Sequence, residues 1–163
     1  MSTPSQAPTR AQPSATGTAA RTTRNNATRH HDLGAGLDLL DRAGTTLLQA
    51  CRADTTTDRY ILAHLGALRA AAALLATRQR RGRRLRSVWE SLADAAPELS
   101  EWADYLALCG ERRGDLERGG EPAGTREADD LLRGAETFLR LVQAALGLPV
   151  TRLEPPLAVA ERS

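Results

Sequence analysis

The chain has 163 residues, enough for one small domain, and its 22 basic residues are all arginine against 20 acids, leaving a net charge of +2. A balance that small implies no polyanionic partner by itself, and abundant Arg, Ala, Leu and Gly with almost no Ile, Phe or Met matches the codon bias of a GC-rich genome. Residues 1–31 are acid-free and rich in Pro, Thr, Ser and Asn. They have too little apolar surface to offset ordering entropy, so a disordered tail is predicted there.

The folded part is predicted to span residues 32–148. Its first helix is read over Leu33–Arg52, capped by Asp32, with Leu33, Leu37, Leu40, Leu47 and Cys51 at helical spacing and Gly34, Gly36 and Gly44 weakening it. Asp54-Thr-Thr-Thr57 is a short turn, so the second helix, Thr57–Arg78, packs back antiparallel. This is the longest clean apolar stretch in the chain. Ile61, Leu65, Leu68, Ala72 and Leu75 form its stripe, Thr56 or Thr57 caps it, and Asp58 sits in the first turn, where the helix dipole favours a negative charge.

The second helix runs into Arg78-Gln-Arg-Arg-Gly-Arg-Arg-Leu-Arg86, six arginines in nine residues. Arg78, Arg80, Arg81, Arg83, Arg84 and Arg86 are candidate RNA or phosphate contacts. They are equally a solvated loop, since no aromatic residue lies in the run to stack on a base. Ser87 then caps a short helix, Val88–Ala95, with Glu90 at the capping-box position. Pro97 suits the first turn of the next helix, about Glu98–Arg118, lined by Leu99, Trp102, Leu106, Cys109 and Leu116 with Tyr105 at the edge. Trp89 and Trp102 are read as buried core anchors. Gly119–Gly124 is a linker. Thr125 caps the last helix, Arg126–Leu146, whose stripe is Ala128, Leu131, Leu132, Ala135, Phe138, Leu139, Val142 and Leu146. Asp129–Arg133 and Glu136–Arg140 are i, i+4 pairs on its outer face. Gly147 and Pro149 stop it, and residues 149–163 are a loose tail.

No strand pattern or repeat appears, so the fold class is all-α: an antiparallel up-and-down bundle of four to five helices behind a disordered N-terminal tail. Cys51 and Cys109 are far apart and read as small buried hydrophobes of a reducing compartment. There is no CxxC, Cys/His cluster or HExxH, so neither a metal nor a cofactor is expected. No run reaches the ~18 apolar residues of a membrane span, and residues 1–31 lack the apolar core of a signal peptide, so a cytoplasmic protein is expected. Asp129 and Asp130 diverge around their helix and make no acid/base pair. Arg59 and His64 lie five residues apart, about 140° around a regular helix. His64 falls at the edge of the Ile61–Leu68–Leu75 stripe, where a hydrogen-bonded core-margin histidine is expected, and Arg59 points nearly opposite.

Three blocks, in order, resemble a known family. They are Arg59-Tyr60, Ala63-His64-Leu65 and Leu68-Arg69-Ala70-Ala71-Ala72; Ser87-Val-Trp-Glu90, Ala96-Pro-Glu-Leu99 and Glu101-Trp-Ala103; and Arg126-Glu-Ala-Asp-Asp-Leu-Leu-Arg133 with Phe138-Leu139. Over about residues 33–147 the chain resembles a small stand-alone actinobacterial branch of the HEPN superfamily. The resemblance implies a helical bundle that dimerises. It implies either binding of RNA, a nucleotide or a protein partner, or metal-independent RNA cleavage in toxin and defence systems, with an antitoxin or nucleotidyltransferase as partner. In the ribonucleases an Arg is followed four to six residues later by a His, the His acting on the 2′-hydroxyl and the Arg holding the phosphate. Arg59 and His64 match that spacing. The function expected first is a non-catalytic, dimeric binding module. The alternative is a ribonuclease using Arg59 and His64.

Overall fold

The structure, a computed structural model, describes residues 15–78 and 86–150. These form five helices and no strand: α1 (Ala15–Cys51), α2 (Thr56–Arg78), α3 (Val88–Ala95), α4 (Ser100–Glu117) and α5 (Thr125–Ala145), with a 3-10 turn at Pro97–Leu99 before α4. The helical bundle expected from the sequence is the fold.

Helix α2 is the central element. α1 runs antiparallel to it, with Gly36 of α1 lying against Thr77 and Ala73, and Leu47 lying against Gly66. α4 also runs antiparallel to α2: Tyr60 reaches the carbonyl of Cys109, His64 that of Leu106, and Arg78 the carboxylate of Glu98. α5 runs parallel to α2, since Arg59 pairs with Asp129 at one end and Arg78 reaches the Ala145 carbonyl at the other. α4 and α5 are antiparallel, joined by the Arg112–Glu127 ion pair at 2.9 Å and by Trp102 against Phe138.

Of the predicted α2 stripe, Leu75 is buried as expected, but the rest of the buried face differs. Ala63, Ala67, Ala70, Ala71, Ala73 and Leu74 are fully buried, whereas Ile61, Leu65, Leu68 and Ala72 are half-buried. Glycine marks the closest approach of α1 and α2, Gly36 against Ala73 and Thr77 and Gly66 against Leu47. A Cβ at Gly66 would sit 2.5 Å from a Leu47 methyl, so the α1–α2 approach there is set by the absence of a side chain. α2 is long and apolar enough to cross a membrane, but its apolar face is packed inside the bundle, as in a core helix.

α1 begins at Ala15, within the stretch read from composition as a tail, and is 37 residues long. At ~1.5 Å per residue it spans about 55 Å, well beyond its partner α2. Where described, the side chains from Arg21 to His31 are exposed, and the first buried position is Gly36. Contact with the bundle therefore starts after the predicted Leu33. Leu33 and Leu37 are exposed, and the α1 core face is Leu40, Ala43, Thr46, Leu47 and Ala50. Cys51, expected to be buried, is exposed, whereas Cys109 is buried as expected. Residues 1–14 lie outside the described residues, as does most of the predicted C-terminal tail, 151–163.

The helix ends follow local chemistry. Thr55 caps α2, accepting from the Asp58 backbone N–H at 3.0 Å and donating to its carboxylate at 2.7 Å. The predicted caps Thr56 and Thr57 instead tie down the α4–α5 linker through the Ala123 carbonyl and N–H. The Ser87–Glu90 capping box forms as predicted. Gly124, not Thr125, caps α5, with Glu127 accepting from its N–H. Gly147, at φ +69°, ends α5, and the Leu148 N–H donates back to Gln143 at 2.9 Å. The core face of α5 is six of the eight predicted stripe residues, Ala128, Leu131, Ala135, Phe138, Leu139 and Val142, while Leu132 and Leu146 are half-buried against it. Neither predicted outer pair is found among the described residues: Asp129 turns to Arg59, Arg133 pairs with Asp130, and Arg140 donates to the Thr137 hydroxyl.

Candidate functional site

The Arg59–His64 segment occupies the first two turns of α2, and its two functional candidates face different helices. Arg59 points to α5, where its guanidinium meets the Asp129 carboxylate at 2.7 Å. Its Nε is buried with no hydrogen-bond partner among the described residues, so the group is anchored at one end only. Asp129 was legible in the sequence only as a partner for Arg133. The parallel α2–α5 packing brings it to Arg59 instead.

His64 points to α4. It is 3% exposed, as deeply buried as Tyr60 one turn before it. Its Nε2 lies 3.0 Å from the Leu106 carbonyl oxygen, which can only accept, so Nε2 carries the proton and donates. Nδ1 is left as the acceptor, with the Arg113 guanidinium 3.5 Å away. The ring packs edge-on against Trp89 at 5.6 Å, and Gly110 leaves space beside it: a Cβ there would be 3.2 Å from Nε2. Burial lowers the imidazole pKa below its ordinary value; the Leu106 contact opposes this, and Arg113 adds to it. The imidazole is thus neutral, with its one free lone pair turned toward a fixed cation. A general base needs that lone pair aimed at a substrate proton. The pair that the sequence places at ribonuclease spacing is divided between the α2–α5 and α2–α4 interfaces.

Of the arginine run, Arg78 and Arg86 are described; Arg80, Arg81, Arg83 and Arg84 lie outside the described residues. Arg78 joins three helix ends. It reaches Glu98 at 2.8 Å and the carbonyls of Ala95 and Ala145 at 3.3 Å each. The hydrogen bond from Arg78 holds the Glu98 carboxyl below its usual range. Arg86 pairs with Asp94 and, at 3.8 Å, with Glu90 of α3.

The fold adds a juxtaposition that the linear sequence hides. Because α1 is antiparallel to α2, its N-terminal half projects from the end of the bundle where α2 enters the arginine run. Gly36 beside Ala73 and Thr77 fixes that register. Arg21, Arg29, His30 and His31 are exposed on the projection, which carries no acid before Asp32. The signal was available as two acid-free basic segments, and only the helix pairing joins them.

A second feature lies between α4 and α5. Glu101, Trp102, Tyr105 and Gly134 line a cavity of about 370 Å³. Trp89 is buried, as expected, but Trp102 is half-buried and forms part of this wall. The Tyr105 phenol is pushed up to about 12, chiefly by burial, with Cys109 and Asp130 adding to the shift. Among the described residues no group of three His, Cys, Asp or Glu side chains is placed to hold a metal ion.

A family model described as SAV_6107-like HEPN matches residues 50–143, from the end of α1 to the end of α5. No curated protein and no solved structure matches the chain. The matched span holds α2–α5 and every helix that packs around His64, and it is more than half of the 163 residues. The chain therefore belongs to the SAV_6107-like HEPN family.

Proposed function

We propose that this HEPN domain is a non-catalytic, dimeric module that binds RNA at the basic end of its bundle. The observation that carries the proposal is the meeting, at one end, of the acid-free α1 projection with the start of the arginine run. A polyanion there would meet Arg21 and Arg29 of α1 together with Arg78, where the run starts, a phosphate-directed electrostatic contact with little base readout. The structural engagement of Arg59 and His64 supports the non-catalytic half. One side chain is held by Asp129, and the other by Leu106 and Arg113.

The competing reading is metal-independent cleavage by Arg59 and His64, whose spacing fits the ribonuclease motif. One experiment separates the two. Full-length protein, giving a dimer mass by light scattering, is titrated with single-stranded RNA in EDTA at graded salt, and the RNA is then run on a denaturing gel. The expected result is intact RNA and an affinity that falls steeply with salt, with a slope of roughly −0.7 per neutralised phosphate. Replacing Arg80, Arg81, Arg83 and Arg84 by Gln weakens binding at least about tenfold and flattens the slope. Absence of binding at low salt rejects RNA as the partner. Cleavage to 2′,3′-cyclic phosphate ends, lost in folded Arg59→Ala and His64→Ala, establishes the ribonuclease instead.

A further inference from the structure

The cavity between α4 and α5 has a composition that the RNA proposal does not use. Two of its walls are aromatic. The Trp102 and Tyr105 rings stand 6.1 Å apart, centroid to centroid, with planes at 81°. Its floor is Gly134, where even a Cβ would come within 3.5 Å of the Tyr105 ring and 3.8 Å of Trp102, so the missing side chain keeps the space open. Its fourth lining residue is a carboxylate, Glu101.

Glu101, Asp104, Tyr105 and Leu108 fall at i, i+3, i+4 and i+7 and are all exposed, so they share one outward face of α4. Neither Glu101 nor Asp104 has an ion-pair partner among the described residues. Of the cations on the neighbouring face of α5, Arg133 is engaged by Asp130 at 3.0 Å, and Arg140 donates to the Thr137 hydroxyl at 2.9 Å. The cavity therefore brings a carboxylate without an ion-pair partner among the described residues beside two aromatic rings.

That combination selects a ligand class. A flat nucleobase stacks on one ring only, because the second stands nearly perpendicular, and its phosphate meets the carboxylates with like charge. A compact, roughly spherical cation fits the corner between two perpendicular rings and is attracted by the carboxylate as well. The volume of about 370 Å³ suits a small free molecule and falls at the small end of ligand-binding pockets. We propose that the Glu101–Trp102–Tyr105–Gly134 cavity binds a small organic cation of the quaternary or alkylated ammonium class. Its lining residues are none of those assigned to RNA, although Glu101 follows three residues after Glu98, the partner of Arg78.

Choline is the probe, and its neutral carbon isostere 3,3-dimethylbutan-1-ol is the control, both added to full-length protein at constant ionic strength. The Gly134 backbone amide and the Trp102 indole N–H are followed by NMR. Choline is expected to shift both signals saturably, with the isostere at least about tenfold weaker, as loss of the cation requires. Tyr105→Ala and Glu101→Gln, both at exposed positions, are expected to weaken choline about fivefold or more each. Gly134→Leu fills the cavity and abolishes the shifts while the melting temperature is retained. Equal binding of the isostere overturns the proposal in favour of a plain apolar pocket. So does the lack of any saturable shift by ~50 mM choline, or an unchanged affinity in the Tyr105 and Glu101 variants.

Discussion

At the scale of single residues, His64 shows how burial decides a side chain's role. A histidine beside an arginine at the right spacing has the composition of a catalytic pair. The fold gives each nitrogen of its ring a fixed neighbour and lowers its proton affinity. The consequence for stability has a definite sign. A histidine whose folded pKa lies below its unfolded value of about 6.5 binds more protons when unfolded. Its stabilising contribution is full above that value and is lost as the pH falls below it. Urea titrations between pH 7.5 and 5 should show the domain losing stability through this window. His64→Gln keeps an N–H for the Leu106 carbonyl and loses the titration. The variant should be less stable at neutral pH by about 1–3 kcal/mol and nearly flat over the same window. A variant as pH-dependent as the wild type would remove His64 as the cause. Arg59 was legible as a polar surface residue, but its partner was not. Asp129 is 70 positions away, and only the parallel α2–α5 packing brings the two together.

At the scale of elements, glycine had two meanings that the sequence does not separate. Gly34, Gly36 and Gly44 read as weak points of a helix, yet α1 runs unbroken through all three. At Gly36 and Gly66 the missing side chain is what lets α1 and α2 approach, whereas an added Cβ at Gly34 meets nothing within 4 Å. Gly66→Ala should therefore destabilise the domain by about 1–3 kcal/mol through overpacking against Leu47. Gly34→Ala should stabilise it by roughly 0.5–1 kcal/mol through helix propensity. Thermal melts of the two variants shifting in the same direction would contradict the close-approach account. The α5 stripe and the Ser87–Glu90 box were legible because their determinants are local and periodic. The start of α1 was not: its first half has no apolar face, so pattern gave no sign of the helix. The buried face of α2 was misjudged for a related reason. Leucines mark a stripe on a wheel, but the tightest interface in this bundle is built from alanine and glycine.

At the scale of the whole molecule, helix direction assigns the charges. A net charge of +2 hides a bundle whose acid-free α1 projection lies at the same end as Arg78, where the arginine run begins. The bundle itself was legible from five helical segments read in the sequence, the first two joined by a short turn. The convergence of its basic segments depended on the antiparallel pairing of α1 with α2. The most direct test of RNA binding without catalysis follows backbone amides and the His64 imidazole nitrogens by NMR as single-stranded RNA is added in EDTA. The account predicts shifts confined to residues 21–31 and 76–88, with His64 still neutral and protonated on Nε2 and with no change in its titration. Shifts centred on Arg59 and His64, with the RNA breaking down during the titration, would contradict it.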